Sequence, residues 1–425
     1  MRAILATPFL LFCFFLTAPT AGDDWPQFLG PQRNGISGEK GLIDQWPVGG
    51  FPDHWRVQLG EGMAGIAVSG KNLVTLYQDQ ASQFVVCLDT RDGSTKWQTP
   101  VAPRYQNSMG HGPRATPSIV DGKVYALTGE GILAALDLKT GQLIWSQNPQ
   151  AEMRAKPAEY GMSGSPLVVG DQVIINTNPG NSGHSVCAYS RDQGKFQWGA
   201  GTQTAGYSSP MLFRKNRVEH ILLFGGKALV GVDAKAGKTV WKYPFETEYN
   251  CNTASPVTMD GNILISAGEN HGSALLELKP QGKPTPGETA SAYQVNEKWT
   301  SLGRESVLRA EWQTPIVRDG FIYGFDNVGS ASPITNLTCV EAATGKRQWQ
   351  VRRYGKGNMI FADGKLIIST MKGHLIVARA TPDGYQELGK QVVIGQTRQI
   401  PALSDGKIYL RDNREIVCLD LAQKK

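Results

Sequence analysis

The 425-residue sequence predicts an all-β fold, an eight-bladed β-propeller of four-stranded antiparallel blades closed by an N-terminal strand. Three observations predict it. First, a beat of an acidic residue, a glycine and a tryptophan recurs as Asp89, Gly93 and Trp97, then as Asp137, Gly141 and Trp145. It returns as Asp233, Gly237 and Trp241 and as Glu341, Gly345 and Trp349, while Ser190, Gly194 and Trp198 keep the spacing with a hydroxyl. A period of roughly 40–50 residues marks a repeat architecture. Second, "TPSIVDGKVYALTGEGILAALDLKTGQLIW" holds four short strands in one unit, TPSIV, VYALT, ILAALD and LIWSQ, separated by Asp-Gly and Thr-Gly hairpin signals. Third, the last unit stops at "IVCLDLAQKK" without a fourth strand, and "DHWRV" at 53–57 stands unpaired ahead of the first unit.

Taken in order, the chain begins with Met1-Arg2 and the apolar run "ILATPFLLFCFFLTAP", too short for a membrane span and followed by small residues. Such a segment is expected to be a signal peptide over 1–22, making the protein exported, without a transmembrane span once processed. Residues 23–52 read as an N-terminal leader and 53–425 as the propeller. Units start near Ala64, Thr116, Gly164, Ser208, Ala254, Gln313, Gly357 and Gln399. The fifth carries the insertion "KPQGKPTPGETASAY" before Trp299, and the seventh has Leu388 where the tryptophan is due. The strand at 53–57 is expected to complete the eighth blade, removing the exposed edge of an open sheet.

The beat has a structural reading. Its glycine sits in the turn between the third and fourth strands, and its tryptophan can lie over the flat turn of the neighbouring blade with the indole N–H on a backbone acceptor. Trp55, Trp97, Trp145, Trp198, Trp241, Trp299 and Trp349 are therefore assigned to holding blades together, and no catalytic residue is assigned.

Composition excludes some classes. The net charge of +6 is mild and no block of like charges marks a nucleic-acid surface. Cys13 leaves with the signal peptide and follows Phe12 rather than a small residue, so no lipid anchor is expected. Cys87, Cys187, Cys339 and Cys418 are read at one equivalent strand position, too far apart for disulfides and buried as small apolar side chains. Cys251, on a loop, is the candidate reactive thiol.

Strand order puts the connections between blades on one face, together with the turns between second and third strands. That face collects the long polar loops, where binding residues concentrate on a rigid scaffold. His111, Arg114, Glu269, Asn270, His271 and Arg309 are the candidate ligand- or partner-binding set at the mouth of the central funnel, with His184 and His374 bordering it. Arg353, Lys356 and Arg398 could add a basic patch there. The competing reading is a solvated rim whose polar side chains satisfy loop backbone. No metal site is assigned, because His111 and His271 lack ligand spacing, and no G-x-S-x-G elbow marks a hydrolase.

The pattern A-x-D-x-x-T-G-x-x-x-W, matched throughout residues 135–145, resembles the tryptophan-docking motif of quinoprotein alcohol dehydrogenases. The leader "DDWPQFLGPQRNGIS", with "GPRATPSIVDGKVY", "AGYSSP", "KALVGVDAKAGKTVWKYP" and "TPDGYQELG", is similar to exported bacterial PQQ-like repeat proteins, a group likened to BamB of the outer-membrane β-barrel assembly machinery. The dehydrogenase resemblance implies pyrroloquinoline quinone stacked on a disulfide of adjacent cysteines, with calcium beside a catalytic Asp. This sequence has no Cys-Cys pair and no Cys-x-x-Cys-His haem signature. The expectation is thus a non-catalytic protein-binding or assembly scaffold of the bacterial envelope, monomeric, periplasmic or outer-membrane-associated, with no cofactor. The alternatives are an oxidoreductase binding pyrroloquinoline quinone with calcium in the funnel, and a small-ligand or carbohydrate sensor.

Overall fold

Asp-Gly pairs set the first hairpin of most blades. Asp121 and Gly122 have φ of 48° and 72°, the two positive values that a two-residue turn needs to match the right-handed twist of its strands. Asp260-Gly261, Asp319-Gly320, Asp363-Gly364 and Asp405-Gly406 repeat the geometry. In the computed structural model, which describes residues 23–181, 183–281, 293–329 and 334–423, such hairpins build eight four-stranded antiparallel sheets. The expected signal peptide and the blade-five insertion at 282–292 lie outside the described residues. Seven blades are consecutive meanders. The eighth takes Trp55–Gln58 as its outer strand, paired antiparallel with Glu415–Asp420 in the register Trp55↔Cys418 and Val57↔Ile416.

Innermost strands begin at Ser/Thr-Pro dipeptides, and the structure shows why. Thr116 N–H donates to Ser165 Oγ, Ser165 N–H to Ser209 Oγ, Ser209 N–H to Ser255 Oγ and Ser255 N–H to Thr314 Oγ1, each at 2.9–3.0 Å. A belt of hydroxyls thus stitches blades two to six around the axis. The proline that follows each hydroxyl lacks an N–H and is tolerated at the first residue of a strand.

The tryptophans act at the other end of each blade. A Cβ on Gly141 would lie 2.5 Å from the Trp97 ring, and one on Gly194 would lie 2.6 Å from the Trp145 ring. Only glycine lets the indole lie flat on the turn. Indole N–H groups of Trp55, Trp97, Trp145, Trp299 and Trp349 donate to carbonyls of the next blade: Thr90, Leu138, Arg191, Ala342 and Thr381. Trp198 lies over Gly237 but faces the Gln172 side chain, and Trp241 packs on Gly231 of its own blade with a buried N–H that has no acceptor among the described residues. Where blade seven lacks its tryptophan, Trp46 of the leader covers Gly389 instead.

The leader crosses the axis on the hairpin face. Trp25 pairs with Val68 of blade one, and Ile119 N–H of blade two donates to Pro26 O at 2.8 Å. Arg33 donates to Ser165 O, Pro166 O and Pro210 O of blades three and four. Ser37 and Gly35 pair with Phe361 of blade seven, and Glu39 accepts from Gly406 N–H of blade eight. Trp25 and Leu29 are completely buried by this path.

One strand assignment needs correction. Cys87, Cys339 and Cys418 stand opposite Trp97, Trp349 and Trp55, whereas Cys187 pairs with Gly199 and Ala188 takes the place opposite Trp198. Aligned on Ser190 instead of on the cysteines, "SVCAYS" puts Cys187 one residue out, on the other side of its sheet. All five described cysteines are free.

Two outcomes are expected. Trp145→Ala should lower unfolding free energy by ~3–5 kcal/mol in denaturant titration, the scale for emptying a buried aromatic site; an unchanged midpoint would mean that the indole contributes no burial. Deleting residues 23–57 removes both the closing strand and the axial leader, so the product should aggregate. A monomeric truncation of unchanged stability in size-exclusion and melting experiments would refute the closure.

Candidate functional site

The belt that pins each innermost strand also fixes what precedes it. The residue two positions before the belt position is carried to the loop-face mouth in every blade. In blades two to six these are Arg114, Ser163, Tyr207, Thr253 and Trp312. The corresponding residues before the less regular starts of blades seven, eight and one are Lys356, Arg398 and Met63.

Contacts between blades show the convergence. Lys356 Nζ lies 4.5 Å and the Arg398 guanidinium 4.9 Å from the centroid of the Trp312 ring, so residues from three successive blades meet on one indole. Lys356 also pairs with Glu311 at 2.6 Å. Burial raises the Glu311 pKa, and Lys356 opposes that shift. Arg114 lies 5.3 Å from the Tyr105 centroid and donates to Gly110 O and Gly112 O. Further round, Tyr160 and Tyr207 stack at 5.5 Å, with the Tyr160 N–H on the Tyr207 hydroxyl and Tyr249 exposed nearby. The mouth therefore has a basic and aromatic arc through Arg114, Trp312, Lys356 and Arg398. An aromatic and acidic arc holds Glu159, Tyr160, Tyr207 and Tyr249.

The six residues selected from sequence do not form one cluster. Arg114 belongs to the mouth. His111 is exposed and its Nδ1 accepts from Asn107 N–H at 3.2 Å, within its own loop. Glu269 and Asn270 occupy a tight turn with φ of 52° and 57°, and Asn270 Oδ1 accepts from Gly329 N–H. His271 sits against Phe245 with ring centroids 4.2 Å apart, and burial pushes its pKa down. Arg309 is only 3% exposed and forks onto Asp326 at 2.6 and 2.8 Å, a buried ion pair inside blade six. Its charge is neutralised there, so it offers nothing to a ligand. Cys251 is half-buried, and burial, with Glu269, Glu159 and Glu311 around it, pushes its thiol up to about 11. At neutral pH it is a protonated thiol and a poor nucleophile, contrary to its selection as a reactive one.

Trp312, Tyr207 and Tyr160 were not selected from sequence, although a signal for the first two was present. In "EWQTP" and "GYSSP" the aromatic stands two residues before the belt hydroxyl, the same offset that places Arg114 in "RATP". Chemistry-bearing histidines drew the choice; positional equivalence would have found the ring.

Comparison with known proteins finds relatives of two kinds. A quinohemoprotein alcohol dehydrogenase, ADH IIB, of Pseudomonas putida is 34% identical over 64% of this chain and 42% of its own length. The outer membrane protein assembly factor BamB of Xanthomonas campestris pv. campestris is 36% identical over 24% of each chain. This chain thus spans less than half the length of either curated relative. The solved quinohemoprotein alcohol dehydrogenase from Comamonas testosteroni superposes with a TM-score of 0.68, covering 95% of this chain and 81% of that one, at 14% identity, which speaks for the fold alone. Residues 81–351 match the family profile described as outer membrane protein assembly factor BamB, and the chain accordingly belongs to that family of PQQ-type propellers.

Proposed function

We propose that this protein is a non-catalytic binding scaffold of the bacterial cell envelope that engages a polypeptide partner through its loop-face mouth. The observation that carries the reading is the composition of that mouth. Stacked and exposed aromatics, Tyr160, Tyr207, Tyr249 and Trp312, stand there beside a basic arc on one side and an acidic one on the other. Aromatic and arginine side chains on a rigid rim are what protein interfaces use as anchors. Membership of a family described by an outer membrane assembly factor agrees with this role. The apolar segment at 1–22 would direct export, and no helix among the described residues is long and apolar enough to cross a membrane.

The oxidoreductase reading draws on the dehydrogenase relatives. Its cofactor does not suit the residues present. The quinone of that resemblance stacks on adjacent cysteines, and among the described residues the mouth offers Cys251 with no cysteine adjacent to it. Glu311, a mouth carboxylate, is already held by Lys356. Among the described residues no three His, Cys, Asp or Glu side chains gather as metal ligands. No reaction step is therefore assigned to a quinone.

Site-specific photo-crosslinking tests the scaffold reading. A benzoylphenylalanine at Tyr249, on the mouth, should yield a discrete adduct with an envelope protein in the native host. The same probe at Phe196, exposed on an outer strand, should not. Adducts from Phe196 alone, or from neither position, would overturn the assignment of the mouth as the interface.

A further inference from the structure

We infer that the mouth contains a pocket for the free C-terminal carboxylate of a polypeptide ending in an apolar residue. The inference rests on the protein-binding reading above and specifies what the mouth would grip. Two guanidiniums converge on one turn: Arg114 Nη2 donates to Gly110 O at 2.7 Å, and Arg398 Nη1 reaches Met109 O at 3.4 Å. Among the described residues neither arginine is ion-paired. Arg398 is exposed at the mouth, its guanidinium lies against the Trp312 ring, and that long contact is its one side-chain hydrogen bond among the described residues, which leaves most of its five N–H donors for a ligand. The nearby Glu311 carboxylate is taken up by Lys356, so the exposed Arg398 guanidinium, with Arg114 behind the same turn, is the charge that an anion would complete. Arg398 also adds to the burial that lowers the Arg114 pKa, and a bound anion would relieve that repulsion.

The surroundings narrow the anion. Arg398 lines a cavity of about 260 Å³ with Ser108, Gln396, Asn413, Met63 and Met109. The guanidinium fork matches a carboxylate in plane, and the hydroxyl and amides supply further donors. Met63 and Met109 give an adaptable apolar wall beside these polar groups. A chain terminus carries a carboxylate and a side chain on the same residue, so a terminal apolar residue presents both halves of this pattern at once. An internal Asp or Glu offers the charge alone. The cavity is smaller than the roughly 300–1,000 Å³ usual for a small-molecule site, which suits a single terminal residue. Capture of a C-terminal carboxylate is a recurring recognition mode.

The experiment is fluorescence anisotropy of a fluorescein-labelled peptide, Gly-Ser-Gly-Ser-Gly-Leu, as free acid and as C-terminal amide, titrated with the purified protein. The acid should bind saturably, the amide at least about tenfold more weakly, in line with losing a charge-assisted hydrogen-bonded pair. Arg398→Gln should weaken the acid by a similar factor with an unchanged melting midpoint, because Arg398 is exposed. Equal binding of acid and amide, binding of neither, or an unaffected R398Q variant would overturn the pocket. If the peptide fails while the Tyr249 adduct persists, the pocket falls and the scaffold stands. If the acid binds selectively without any Tyr249 adduct, the pocket stands and the partner reading falls.

Discussion

Seven blades are continuous meanders, but the eighth exists only because Trp55–Gln58, from the opposite end of the chain, pairs with Glu415–Asp420. Without that pairing the last strand would present a bare row of N–H and C=O groups. Arg411 reinforces the junction: fully buried in blade eight, it donates to Ala64 O, Thr75 Oγ1 and Leu76 O of blade one. Among the described residues no carboxylate forms an ion pair with it and its buried Nη2 has no hydrogen-bond partner; burial lowers its pKa to about 10, so it stays charged at neutral pH and depends on the oxygens that Nη1 reaches. A buried charge is costly unless its hydrogen bonds are made, which ties the ion to the closed ring and to no other arrangement. The leader adds a second tie across the axis. Arg33 is likewise buried on carbonyls, of blades three and four, with its pKa lowered to about 9.

Much of this was legible in the chain. The spacing of Asp, Gly and Trp is a local repeat with a local cause, an indole on a flat turn, and it revealed the blades one by one. The missing last strand and the orphan "DHWRV" together announced the closure. The axial path of the leader was not legible, since Trp25, Arg33 and Glu39 find partners far along the sequence and share no periodicity with them. The same limit hid the substitution of Trp46 for the tryptophan absent from blade seven.

The site was harder, for a physical reason. In a repeat protein, side chains that face the axis meet residues from other blades, so their neighbours cannot be read from nearby sequence. Arg309 illustrates the difficulty. In "GRESVLRAEW" it looks like an exposed loop cation, yet the fold turns it inward onto Asp326, while Trp312 three residues later reaches the mouth. Positional equivalence would have separated the two, because only Trp312 stands at the offset shared with Arg114 and Tyr207. The belt residues are fixed by structure. Those two positions earlier differ in chemistry from blade to blade, from Met63 through Tyr207 to Arg398, and there the ring departs from its own symmetry.

The most direct test sets the scaffold against the cofactor chemistry of the dehydrogenase relatives: calorimetric titration of the purified protein with pyrroloquinoline quinone and calcium, with the melting midpoint followed in parallel. A mouth whose carboxylate Glu311 is already paired with Lys356, and which has no adjacent cysteines among the described residues, should give no saturable heat and no thermal shift. Tight, saturable binding with stabilisation would contradict the scaffold reading and make oxidation of alcohols and sugars the activity to assay.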